Sequence, residues 1–117
     1  MVKMENDSGV ISITSEVFTN LAGDAATRCF GVKGMAGRAK GDGIAVLLRR
    51  ESMSKGVAVR FPEEGGVDIE LHIVVDHGVN ISALARSIIG EVSYKVTEAT
   101  GVPVNRVDVF VDSMVSD

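Results

Sequence analysis

The run Val67-Asp68-Ile69-Glu70-Leu71-His72-Ile73-Val74-Val75-Asp76 constrains the fold more than any other segment of the chain. Val67, Ile69, Leu71, Ile73 and Val75 alternate with Asp68, Glu70, His72, Val74 and Asp76. A period of two places the five apolar side chains on one face of an extended strand. That strand has one dry face, and the rest of the chain must cover it. Just upstream, Val57, Val59 and Phe61 alternate with Ala58 and Arg60. Pro62-Glu63-Glu64-Gly65-Gly66 between the two runs is a turn signal. Two strands joined by so short a turn form an antiparallel hairpin.

The cover comes from helices. Asn80 is an N-cap residue, and Ile81, Leu84, Ile88, Val92 and Val96 make one buried stripe behind it, widened by Ala85 and Ile89. Gly101 stops this helix and Pro103 follows. Val107, Val109 and Val111 then alternate with Asp108, Phe110 and Asp112 in a last strand. The connection from the long strand through this helix is a parallel crossover. Nearer the N-terminus, Val10-Ile11-Ser12-Ile13-Thr14 reads as a short strand. Thr14 or Ser15 caps a helix with Glu16 in its first turn. Its stripe is Val17, Leu21, Ala25 and Cys29, with Phe18 and Ala22 beside it, and Gly31 ends it. Gly23 inside this helix costs up to about 1 kcal/mol against Ala and implies close packing.

Residues 31 to 43 read as a glycine-rich loop, and Ile44 to Arg50 as a short helix with Ile44, Leu47 and Leu48 inward. The expected fold is α+β: a two-layer sandwich with a four-stranded mixed sheet and two main helices on one face, in the order β-α-short α-β-β-α-β. Residues 10–112 form the expected single domain, after a disordered leader at 1–9 and before a short tail at 113–117. A chain of 117 residues, 45% of them apolar, supports one such core without disulfides or metal. Nineteen valines against five aromatic residues and no Trp make that core aliphatic. Phe30 and Phe61 are expected inward. The outer sheet face would carry Arg60, Asp68, Glu70, His72, Arg106 and Asp108, with Val74 and Phe110. Phe110 beside Val74 is a candidate patch for self-association or a partner; isolated surface apolar residues are the alternative.

The net charge of −4 conceals an uneven distribution. Residues 28 to 60 hold eight basic and two acidic side chains, a net +6, while the remainder carries −10. Five of the 13 glycines lie between Gly31 and Gly43 within that basic segment. It reads either as a solvated surface or as an anion-facing loop for lipid headgroups, nucleic acid or an acidic partner. Lys33, Arg38, Lys40, Arg49 and Arg50 are its candidate contact residues.

Recognisable catalytic and metal-binding patterns are absent from the sequence. His72 and Asp76 on one strand face stand about 13 Å apart, too far to chelate one ion, and His77 falls in the following turn. Cys29, the only cysteine, permits no internal disulfide and no cysteine-rich zinc site. At the C-terminal end of a helix its thiolate is disfavoured. No catalytic residue, cofactor or metal is expected. The glycine segment matches neither the dinucleotide fingerprint nor the P-loop. Gly31-Val32-Lys33-Gly34 does match the Gly-x-x-Gly with which a KH module clamps an RNA backbone between two helices. The shortage of aromatic stacking platforms weighs against that. With no apolar run near 18 residues and no apolar core at the N-terminus, the expectation is a soluble cytoplasmic protein.

The ordered set of segments resembles the alkaline shock protein, or Gls, family of Gram-positive bacteria. Val10-Ile-Ser-Ile-Thr-Ser-Glu-Val-Phe-Thr-Asn-Leu-Ala-Gly-Asp-Ala-Ala26 resembles the family's start, and Gly31-Val-Lys-Gly-Met-Ala-Gly37 follows it. Ser54-Lys-Gly-Val-Ala-Val59, the run from Val67 to Ile81, Val96-Thr-Glu-Ala-Thr-Gly-Val102 and Val104 to Val111 continue in unchanged order. The resemblance implies a non-catalytic cytoplasmic protein of envelope stress response or homeostasis. It implies a scaffold or regulator acting through protein–protein contacts, with self-association and a membrane-anchored protein as partners. The alternatives are an RNA-binding KH-like module using Gly31 to Gly34, and an enzyme or small-ligand binder whose site the sequence hides.

Overall fold

The computed structural model describes residues 1–38, 45–47 and 56–115. Its elements run β1 (Val2–Asn6), β2 (Gly9–Ile13), α1 (Ser15–Thr27), β3 (Val32–Arg38), β4 (Ala45–Leu47), β5 (Val57–Arg60), β6 (Val67–Asp76), α2 (Ile81–Thr100) and β7 (Val104–Val115). The architecture is the α+β sandwich anticipated above, with α1 and α2 packed on one face of the main sheet.

The alternating run is β6, and it is the strand every neighbour needs. Its whole length pairs in parallel with β7 on one edge, from Val67↔Val104 to Asp76↔Val115. The opposite edge is divided. β5 takes the N-terminal half, with Val57↔Leu71 and Arg60↔Asp68. β3 takes the C-terminal half, with Val32↔Val75 and Met35↔Ile73. Ile69, Leu71 and Ile73 are at most 1% exposed, and each such side chain contributes about 1.5–3 kcal/mol through burial. Phe18, Ala22 and Ala26 of α1 and Ile88, Val92 and Val96 of α2 cover them.

The helix boundaries follow local chemistry. Asn80 Oδ1 accepts the Ala83 backbone N–H at 3.0 Å, and Gly101 closes α2 at φ +76°. α1 is rotated from its expected stripe. Phe18, Ala22, Ala25 and Ala26 are inward, Leu21 is half-buried and Val17 is exposed. Ala22, Ala25 and Ala26 let α1 sit close to the sheet around the buried Phe18. Gly23, expected in a tight contact, is buried.

Three expectations fail in the first half of the chain. The glycine-rich stretch 32–38 is a strand, not a loop. Gly34 and Gly37 hide the apolar alternation, and pairing to the open edge of β6 overrides glycine's poor strand propensity. Ala45–Leu47, expected in a short helix, is instead an antiparallel partner of β3. A short apolar run has no period long enough to separate the two states. With these two strands added, and the expected strand at Val10–Thr14 paired outside it, the main sheet has five strands rather than four. Residues 2–6, expected as a disordered leader, pair with 9–13 in a separate hairpin. Asn6 Oδ1 accepts the N–H of Ser8 and of Gly9, which closes its turn. At the other end β7 runs through Val115, into the expected tail.

The divided edge of β6 places a demand on Gly56, where β3 and β5 meet. A Cβ there would stand 2.9 Å from the Ala36 carbonyl oxygen and 2.9 Å from Met35 Cβ. Gly56→Ala is expected to destabilise the fold by about 1–3 kcal/mol, read from the urea midpoint. Gly90, exposed in α2 with nothing within 4 Å of an added Cβ, is the control. Gly90→Ala should stabilise by about 0.5–1 kcal/mol.

Candidate functional site

Asp68, Glu70 and His72 of β6 and Arg106, Asp108, Phe110 and Asp112 of β7 form a polar row around one aromatic ring on the sheet face away from the helices. Phe110 is opposite His72 in the parallel register, and the two rings stack at 4.9 Å with 12° between their planes. His72 Nδ1 lies 2.9 Å from Asp112 Oδ2, and Nε2 lies 2.8 Å from Glu70 Oε2. A neutral imidazole has one N–H to donate, whereas the imidazolium donates to both carboxylates. Burial alone would lower the His72 pKa. The hydrogen bonds to Glu70 and Asp112 and their negative charges outweigh it and raise the value above the usual 6.5. Phe110 keeps 45% of its surface exposed.

The row continues toward the start of β6. Arg60 Nη2 donates to Asp68 Oδ2 at 2.8 Å, and this contact holds the Asp68 carboxyl below its usual range. Arg106 donates through Nε and Nη2 to Asp108 Oδ1. Arg60, Asp68, Glu70, Arg106 and Asp108 line a shallow groove floored by Ala58. Charges of both signs alternate over a few ångströms, a pattern suited to a polar macromolecular surface rather than to one small ion.

The expected contact residues are not one patch. Phe110 is on the outer face as anticipated. Val74 is only 1% exposed and offers nothing to a partner. Ile73 and Val75 belong to the core cluster and Val74 does not, so β6 keeps its alternation there, and the register shift skips Asp112 of β7 instead. Lys33 lies in β3, half-buried, with Nζ 3.5 Å from Asp76 Oδ1. Arg38 is the last residue of β3. Lys40, Arg49 and Arg50 lie outside the described residues. Elsewhere in the basic segment, Arg28 pairs with Asp24 at 3.0 Å and Arg60 with Asp68. The positive charge that the sequence concentrates there meets carboxylates at each of these described positions.

Two further readings change. Gly31 adopts φ +100° beneath Val79 and leads from α1 into β3. A Gly-x-x-Gly clamp needs a second helix after the loop, so Gly31 to Gly34 lacks the KH geometry. Phe30, expected inward, is 95% exposed, because it follows the end of α1 and precedes the turn at Gly31. Phe61 is inward and meets Phe18 edge to face at 5.2 Å. The half-buried Cys29 thiol is pushed up by burial and by Glu91, and it donates to the Ala25 carbonyl. It remains a thiol rather than a nucleophile. The sequence signal for the His72 cluster was present in the alternation of β6 and β7. Their parallel register, which sets His72 between Glu70 and Asp112, was not.

Residues 3–116 match the model of the ASP23 family, described as having cell envelope-related function. Protein YloU of Bacillus subtilis is 35% identical over 115 residues, covering 97% of this chain and 94% of that protein. Spy1614 of Streptococcus pyogenes is 32% identical, covering 97% and 93%. Both relatives are uncharacterized proteins. The chain belongs to the ASP23 family, the alkaline shock protein family its motifs resemble. Among solved structures, a MamM CTD aligns at TM-score 0.51 and 17% identity, over 86% of this chain and 99% of that one. That likeness is one of fold.

The raised pKa of His72 sets the sign of a pH effect. Its contribution to stability is whole below the unfolded value of about 6.5 and is lost as pH rises through the higher folded value. The stability lead of wild type over His72→Gln should therefore be greatest in mild acid, above the carboxylate range, and shrink toward alkaline pH. Thermal unfolding of both proteins between about pH 5 and pH 9 checks this. A lead that is constant across that range contradicts the arrangement.

Proposed function

We propose that the chain is a non-catalytic cytoplasmic protein of envelope stress response or homeostasis, a scaffold or regulator that works through protein–protein contacts. The observation that carries the reading is the family match over nearly the whole chain, with its cell envelope-related description. The outer sheet face supports it. A half-exposed Phe110, held by stacking on His72 and ringed by fixed charges, has the make-up of a contact centre with a polar rim. Among the described residues no helix is long and apolar enough to cross a membrane. The proposed partner at the envelope is a membrane-anchored protein whose own apolar side chain covers Phe110 and whose charges match Arg60, Asp68, Arg106 and Asp108.

Fractionation of native cells tests this. Tagged wild-type protein should sediment with membranes. Phe110→Ser, which removes a half-exposed ring and leaves the core untouched, should shift most of it to the supernatant. An unchanged membrane share in Phe110→Ser overturns the face assignment. Co-purification with RNA that falls steeply with salt overturns the contact reading itself.

A further inference from the structure

β7 is an edge of the five-stranded sheet. Among the described residues it pairs with β6 alone, so the backbone groups of its other side meet no strand. It spans 12 residues and contains neither proline nor lysine, and between the register shifts at Asn105 and Asp112 it runs regularly from Arg106 to Val111. The core also stops short there. Leu71 and Ile73 of β6 are 0% exposed, while the residues beside them on β7, Val109 and Val111, pack on the same core and are only half-buried.

We propose that this edge pairs antiparallel with β7 of a second copy of the chain, about a two-fold axis through Val109. Such an axis is normal to the sheet, so residues opposed across it must share a face. That leaves few registers. Centring on Asp108 sets that carboxylate against itself. Centring on Phe110 sets Asp108 against Asp112. Both oppose like charges. Centring on Val107 brings Arg106 to Asp108, but the overlap from Val104 ends at Phe110. Centring on Val109 sets Val107 against Val111 on the core face and Arg106 against Asp112 on the outer face. This overlap runs from Val104 to Met114. Each Arg106 exchanges its exposed contact with Asp108 for the partner's Asp112, the carboxylate that also holds His72, and the symmetry supplies that pair twice. The half-buried valines of both copies close over one another, and two five-stranded sheets become continuous.

The inference deepens the contact-based reading but uses the sheet edge rather than its face, and it is tested on purified protein without any envelope component. Sedimentation should show a concentration-dependent dimer. Arg106→Asp should raise its dissociation constant roughly tenfold, and Arg106→Lys, which keeps the charge, should leave it near the wild-type value. In a Cys29→Ser background, Val109→Cys should give a disulfide-linked dimer on mild oxidation. Residues opposed on neighbouring strands hold their Cβ atoms about 4.5–5.5 Å apart, near disulfide reach. Val104→Cys, opposite Met114 and far from the axis, should not. A monomer at every concentration overturns the proposal. Cross-linking through Phe110→Cys with none through Val109→Cys also overturns it, by moving the interface to the sheet face.

Discussion

The structure depends on a single strand with three partners. β6 gives its inward side chains to both helices, one edge to β7, and the two halves of its other edge to β5 and β3. Its alternation therefore does two jobs. Val67, Ile69, Leu71 and Ile73 hold the core, and Asp68, Glu70 and His72 organise the outer face. The demand at Gly56 is a by-product of this sharing. Two strands that end against one another on one edge leave no room for a side chain at the junction.

What was legible in the sequence follows from which interactions are local. The β5–β6 hairpin rests on a six-residue connection, and α2 is bracketed by Asn80 and Gly101, so both stand as expected. β3 was hidden because its pairing is distant. Gly34 and Met35 reach Val74 and Ile73 across some forty residues of chain, and no neighbour in sequence reports that. α1 is rotated because four-residue spacing admits two adjacent stripes, and only the sheet chooses between them. The first hairpin depends on the Asn6 side chain, a short turn signal set among charged residues.

The candidate site divides in the same way. The outward placement of His72 and Phe110 follows from alternation. The stacking, and the clasp of His72 by Asp112, need the parallel register of β6 and β7. Val74 keeps its place in the alternation but is buried, so it adds nothing to the exposed face. The basic segment attracted attention as a charge excess, but charge excess is a property of composition. Where the structure describes those side chains, Arg28, Lys33 and Arg60 each meet a carboxylate. Among the described residues, the mixed-charge sheet face with its aromatic centre is a surface that fits a protein partner better than a phosphate backbone.

The proposed contact face and the proposed dimer edge share β7. Both rest on β6 remaining paired on each side. Native-state amide hydrogen exchange, measured at low and high protein concentration, tests that account most directly. It predicts that the amides of Ile69 to Val75 exchange only through global unfolding at either concentration. It also predicts that protection in Arg106 to Val111 of β7 rises with concentration. Exchange of β6 through a local opening easier than that of α2, or a β7 indifferent to concentration, would contradict it.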